Sequence, residues 1–224
     1  MTESLPAAVL WDLDGTIVDT EPAWQAAEQA LVAEYGGAIT EEESLALIGA
    51  GLWTCAEYFR SVKGVPLEPQ EIIDRMTDEV IAFLGDDVPW RPGALELLSS
   101  LRALGVPTAL VTMSISPMAA AVVDAIPFDG FDAVVSGDMV EHAKPHPDAY
   151  LTACRMLGVD PADCVAIEDS HAGTASAVAA GVATIGVPNI LELVADEGYT
   201  VWPTLAGRTP ADLAGVLAAA KARA

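Results

Sequence analysis

The sequence predicts an α/β protein in which helices wind both faces of a parallel sheet, with a block of helices inserted after the first strand. Three observations lead there. Short, continuous apolar runs recur along the chain, as strands buried on both faces require. From residue 90 onward these runs alternate with stretches of helical period, the pattern of a doubly wound parallel sheet. Between the first run and that alternation, residues 21 to 86 read as helices only.

The first strand is expected over residues 7 to 11, Ala-Ala-Val-Leu-Trp. The insert follows. Trp24, Ala27, Leu31 and Tyr35 keep the helical period, as do Ile72, Met76, Val80 and Phe83, and shorter helices are expected over Ile39–Ile48 and Leu52–Val62. Trp53 and Tyr58 read as core residues of the insert. Its hinges are expected near Thr16–Glu21 and Asp87–Pro92. Arg91-Pro92-Gly93 opens the next helix, with Leu95, Leu98 and Leu101 on one face and Gly105 as the stop. Strands are expected at Pro107–Thr112, Phe131–Val135, Cys164–Ile167 and Val182–Val187. Pro147 opens a helix that ends at Gly158, Ser170 caps one that ends at Gly181, and Thr209-Pro210 with Asp212 starts the last.

Composition narrows the function classes. Apolar residues make up 52% of the 224, enough for a sizeable core, and the net charge is −23, with 33 acidic against 10 basic residues. Such a surface repels phosphate backbones and anionic lipid, so neither nucleic acid nor membrane is an expected partner. No window holds the roughly 18 unbroken apolar residues of a membrane span. The opening Met-Thr-Glu-Ser lacks the basic start of a signal peptide. Cys55, Cys154 and Cys164 are scattered and odd in number, which fits reduced, buried thiols and a cytoplasmic location. His142, His146 and His171 lack zinc spacing, and His146 and His171 read as structural or surface residues.

Ligands of an open parallel sheet bind beyond the carboxyl ends of its strands. The first strand ends in Asp12 and Asp14, and the second in Thr112-Met113-Ser114. Lys144-Pro145-His146-Pro147 precedes a helix, and Cys164–Ile167 runs into Glu168-Asp169-Ser170. Acids, hydroxyls and one lysine therefore gather at a single edge. Several carboxylates in one crevice stay ionised only beside a cation, and a hard divalent ion such as Mg²⁺ suits oxygen ligands and substrate phosphate. One carboxylate can attack phosphorus, and a second can protonate the leaving alkoxide and then activate water. Thr112 and Ser114 offer hydroxyl donors to the same oxygens, and Gly15 lets the backbone come close to a phosphoryl group.

Asp12-Leu13-Asp14-Gly15-Thr16, Thr112/Ser114, Lys144-Pro-His-Pro and Glu168-Asp169-Ser170 resemble the four motifs of the haloacid dehalogenase-like superfamily, in order and spacing across the chain. The insert looks like that family's four-helix cap, in the branch that contains β-phosphoglucomutase and many small phosphatases. Residues 18 to 24 are similar to sugar-phosphate phosphatases. The resemblance implies a Rossmann-like core over residues 1–17 and 90–224 and a cap domain over 18–89. It implies Asp12 as nucleophile and Mg²⁺ ligand, and Asp14 as general acid/base and backbone ligand. Thr112 and Lys144 would hold the phosphoryl group, and Glu168 and Asp169 would complete the metal site. Gly15, Thr16, Glu21 and Ser114 are the expected substrate-binding residues, and Asp19 lies at the hinge. Met113 departs from the family, where asparagine often stands. The expected activity is a Mg²⁺-dependent phosphatase of a small phosphorylated metabolite, acting as a monomer or weak homodimer. A phosphosugar mutase would use the same groups. A dehalogenase needs neither Asp14 nor the Glu168-Asp169 site, and a non-catalytic binding module would have lost key residues that are present here.

Overall fold

The computed structural model describes residues 4–85, 87–195 and 198–223. The expectation for the first three residues lies outside that range. Six parallel strands, β1 (Ala8–Trp11), β2 (Thr108–Val111), β3 (Ala133–Val135), β4 (Cys164–Glu168), β5 (Ala183–Gly186) and β6 (Thr200–Val201), form one sheet in the order β3-β2-β1-β4-β5-β6. The chain steps outward from β1 through β2 to β3, then returns to the other side of β1 with β4. The switch in direction therefore falls at β1, where an open sheet leaves a crevice at its carboxyl end.

Apolar strands buried on both faces need cover on both. Val9 and Trp11 of β1 point into one core, and Ala8 and Leu10 into the other. The second core is closed by α7 (Asp148–Leu157) and α8 (His171–Ala179), through Tyr150, Ala153, Cys154 and Ala177. The first takes α5 (Ala94–Ala103), α6 (Ser116–Ala125) and α9 (Pro210–Lys221), through Leu97, Leu101, Met118, Val122, Leu213 and Leu217. Local chemistry starts α8 and α9 where the sequence predicts. Ser170 accepts the Gly173 N–H at 3.0 Å, and the Asp212 carboxylate accepts the Thr209 N–H at 2.8 Å.

Between β1 and α5 the chain makes four helices in succession: α1 (Glu21–Glu34), α2 (Glu41–Leu45), α3 (Leu52–Ser61) and α4 (Pro69–Leu84). Phe59, Ile72, Ile73 and Val80 are essentially fully buried among them. Each such side chain contributes about 1.5–3 kcal/mol by leaving water. The first core runs unbroken from the sheet into this insert, and α4 also packs on α6.

Five details differ from the expectation. The helix α6 and the two-residue strand β6 were not foreseen. Phe83 is half exposed, because Leu84 takes the buried place at the end of α4. Trp53 is exposed, and Tyr58 is only half-buried, donating its hydroxyl to Glu43 at 2.8 Å. The three cysteines are free and buried, and His146 and His171 lie at the surface, as expected. No helix among the described residues is long and apolar enough to cross a membrane.

Candidate active site

The site grows from the end of β1. The Asp12 N–H donates to the Ile167 carbonyl at 3.0 Å, so the first residue past the strand is still held by the sheet. The chain then turns tightly, with the Gly15 N–H on the Val18 carbonyl at 2.8 Å. Gly15 has φ +78°, and a Cβ there would lie 1.9 Å from the Asp169 carboxylate. Glycine is required at this position so that Asp169, at the end of β4, can lie against the turn.

Three carboxylates and one ammonium form the centre. Oxygens of Asp12, Glu168 and Asp169 lie within 4.8 Å of one another. Lys144 is buried and spends all three N–H groups. Its Nζ donates to Asp12 Oδ1 at 2.7 Å, Glu168 Oε1 at 2.6 Å and the Val111 carbonyl at 2.9 Å. Tyr150 Oη also donates to Glu168 Oε1, at 2.5 Å. Burial and then the Glu168 charge push the Asp12 carboxyl up to about 8, against the pull of Lys144. Burial and the charges of Asp12 and Glu168 hold Asp169 well above the usual carboxylate range. Burial opposes the charge on Lys144, but Asp12 and Glu168 outweigh it and hold its pKa above the ordinary lysine value. The set is all hard oxygen, and one divalent cation would bring three carboxylates and one ammonium to neutrality. These residues fit such an ion.

Asp14 is tied from two sides. Its Oδ1 accepts Thr20 Oγ1 at 2.7 Å and Trp24 Nε1 at 2.9 Å, from the start of the insert. Its Oδ2 accepts Ser114 Oγ at 2.7 Å and Thr112 Oγ1 at 3.2 Å, from the loop after β2. The hydroxyls can donate or accept, whereas the indole can only donate. Trp24 thus couples the position of α1 to the aim of Asp14. Trp24→Phe keeps the buried ring but removes that donor. With Asp14 in the acid/base role expected from the sequence, it should lower kcat by about 10-fold with a smaller change in KM, the scale of a mispositioned proton-transfer group. Steady-state kinetics check this, and an unchanged kcat contradicts it.

A cavity opens between this centre and the insert. Asp12, Asp14, Thr112, Ser114, Lys144 and Asp169 line its floor, and Glu21, Gln25, Glu28 and Ser44 stand in its wall. The insert also meets the core directly. Gly49 (φ +76°) lies so close to Ser170 that a Cβ would stand 2.7 Å from its hydroxyl.

Of the residues singled out in the sequence, Asp12, Asp14, Glu21, Thr112, Ser114, Lys144 and Asp169 therefore converge on one cavity. Gly15, Thr16 and Glu168 are not part of its lining. Gly15 serves Asp169, and Glu168 sits behind Lys144, wholly buried. Thr16 is buried, and its hydroxyl has no hydrogen-bond partner among the described residues. Asp19 accepts Asn189 Nδ2 at 3.0 Å instead of reaching the cavity. Met113 also has a place, since its sulfur accepts the Lys144 backbone N–H at 3.2 Å. Sequence reasoning missed Gln25, Glu28 and Ser44, the indole contact of Trp24 and the Tyr150 hydroxyl. Trp24 and Tyr150 were legible only as apolar periodic positions.

The family described as haloacid dehalogenase-like hydrolase matches residues 6–181 of the chain. The fructose-1-phosphate phosphatase YqaB of Escherichia coli is 33% identical over 182 residues, which cover 81% of this chain and 96% of that protein. Hexitol phosphatase A of the same organism is 35% identical over 181 residues, covering 80% of this chain and 81% of that one. Among solved structures, CbbY from Rhodobacter sphaeroides in complex with phosphate superposes with a TM-score of 0.79 at 27% identity, over 91% of this chain and 96% of that one. A β-phosphoglucomutase from Clostridium difficile superposes with a TM-score of 0.84 over the whole of both chains; at 22% identity it bears on the fold alone.

Proposed function

The chain belongs to the haloacid dehalogenase-like hydrolases, and from that premise we propose that it is a Mg²⁺-dependent phosphatase of a small phosphorylated metabolite, such as a sugar phosphate, working through an aspartyl-phosphate on Asp12. That it is a phosphoric monoester hydrolase follows from its family and its phosphatase relatives. The observation that carries the finer reading is the meeting of Asp12, Asp14, Lys144 and Asp169 at one end of a cavity.

Each residue has a task. Lys144 holds Asp12 Oδ1, which leaves Oδ2 as the oxygen that attacks phosphorus. The P–O bond to the leaving group breaks, and Asp14 delivers a proton to the departing alkoxide. Asp14 then takes a proton from water, which attacks phosphorus and frees Asp12 as the carboxylate. Lys144, with the Thr112 and Ser114 hydroxyls, faces the negative charge of the phosphoryl oxygens. Asp12, the Asp14 carbonyl and Asp169 would hold Mg²⁺, with Glu168 beside them. The ion would supply charge neutralisation at the phosphoryl oxygens. Residues 18–89 would act as a cap that excludes bulk water, and Gly49 lies against Ser170 where the two parts meet. The same proposal includes a cytoplasmic location, in keeping with three free, buried thiols, and a monomeric or weakly dimeric state.

Phosphate release from para-nitrophenyl phosphate and from a panel of sugar phosphates, with Mg²⁺ and with chelator, tests this reading. Release should require Mg²⁺, and the ion should raise the melting temperature of the substrate-free protein by mass action. Full activity in excess chelator would remove the metal from the mechanism, and no release from any ester would remove the phosphatase.

A further inference from the structure

The wall of the cavity facing the catalytic floor has a chemistry of its own. Glu21, Gln25 and Glu28 stand at i, i+4 and i+7 on α1, so the helix presents all three on one face. Glu21 is buried, lines the cavity and makes no hydrogen bond to a described residue. Glu28 is also buried, and its Oε2 accepts the Ser44 hydroxyl at 2.6 Å. No hydrogen bond among the described residues falls on Oε1. Leu47, Ile48, Leu52 and Met76 supply apolar lining beside this strip. Among the described residues Lys144 is the only Lys or Arg in the lining, and its three N–H groups are already committed.

Acceptors that face a cavity with no protein partner are free to take donors from a ligand. From this strip we infer that Glu28, seated by Ser44 and flanked by Glu21 and Gln25, reads the leaving group, and that it selects monophosphate esters of neutral, hydroxyl-bearing alcohols over substrates carrying a second anionic group. The inference rests on the phosphatase reading and specifies its substrate. Hydroxyls remote from the phosphate donate to Glu28 and Glu21, and the C–H faces of the carbon chain lie on the leucine, isoleucine and methionine lining. A second phosphate at that place meets carboxyl oxygens and no cation, so it is rejected by repulsion as well as by missing contacts. The same wall weighs against a phosphosugar mutase, which must hold a bisphosphate. Burial pushes the Glu21 carboxyl up to about 8 and Glu28 to about 6. A hydroxyl pairs with such a carboxyl in either protonation form, whereas an ammonium is held strongly only by the ionised one.

The test compares kcat/KM for para-nitrophenyl phosphate, a hexitol monophosphate, a hexose bisphosphate and ethanolamine phosphate in wild type, Glu28→Gln and Glu28→Lys. Wild type should favour the hexitol monophosphate over the bisphosphate by about 100-fold or more, the discrimination expected when buried polar groups go unpaired. Glu28→Gln should cut the hexitol ester by about 10-fold, chiefly through KM, and the aryl ester by a smaller factor. Glu28→Lys should shift the ratio towards the bisphosphate. Equal losses on every substrate, or a wild type that prefers the bisphosphate or ethanolamine phosphate, would overturn the inference and leave the phosphatase standing. No release from any substrate, the aryl ester included, would bring down the phosphatase reading and the inference with it.

Discussion

Asp12→Asn should lower turnover by about 10⁴-fold or more, the scale on which removal of a covalent nucleophile acts, while the protein stays folded. Asparagine keeps the shape of the side chain, and its Oδ1 still accepts from Lys144, which lies 2.7 Å away in the native site. What it removes is the second oxygen, the one proposed to attack phosphorus. Substrate affinity should persist, because the groups facing the phosphoryl oxygens are untouched. Circular dichroism and thermal unfolding would check the fold, and phosphate release the activity. Turnover within about 10-fold of wild type would mean that Asp12 only positions other groups, since a nucleophile cannot be dispensed with so cheaply.

The second large effect concerns stability as well as catalysis. Lys144→Met should destabilise the protein by about 3–5 kcal/mol, the cost of stranding one partner of a buried ion pair. Three hydrogen bonds vanish at once, to Asp12, Glu168 and the Val111 carbonyl, and the two carboxylates are left buried side by side. Turnover should be lost too, because no other Lys or Arg among the described residues lines the cavity. Adding Glu168→Gln to the same chain should return a good part of the stability by removing one stranded charge, with no return of activity. Urea unfolding of the single and double variants reads this directly. A loss below about 1 kcal/mol for Lys144→Met would place the ion pair in the class of solvent-screened surface pairs.

The architecture was legible where one physical signal dominated. The strands β1, β2, β4 and β5 are short runs buried on both faces, and such runs stand out against flanking turns and helices. The helix α6 was not legible for the opposite reason. Its sequence, Ser-Pro-Met-Ala-Ala-Ala-Val-Val-Asp-Ala, is apolar nearly all round, so no stripe reveals the period. It packs on α4 and contributes to the first core. The strand β6 is two residues long and half-buried, and only its pairing with β5 makes it a strand.

The floor of the cavity was legible because its residues lie shortly past a strand end or shortly before a helix, and the topology alone brings those ends together. The wall was not. Gln25, Glu28 and Ser44 carry no motif, and on a helical wheel a buried glutamate resembles a solvated one. Their convergence depends on how α1 and α2 pack, which periodicity does not specify. Trp24 and Tyr150 teach the same lesson from the apolar side. Each fills a core position of its helix, yet its polar atom reaches Asp14 or Glu168. An amphipathic side chain can serve the core and the site together.

We propose that phosphoryl transfer passes through Asp12. The direct test is rapid acid quench of wild type mixed with Mg²⁺ and a labelled sugar phosphate, followed by mapping of the label on the digested chain. A phosphoryl group should appear within the first turnover on the peptide carrying Asp12, require Mg²⁺, and be missing from Asp12→Asn. Phosphate released with no label on the protein, and released equally by Asp12→Asn, would contradict the account.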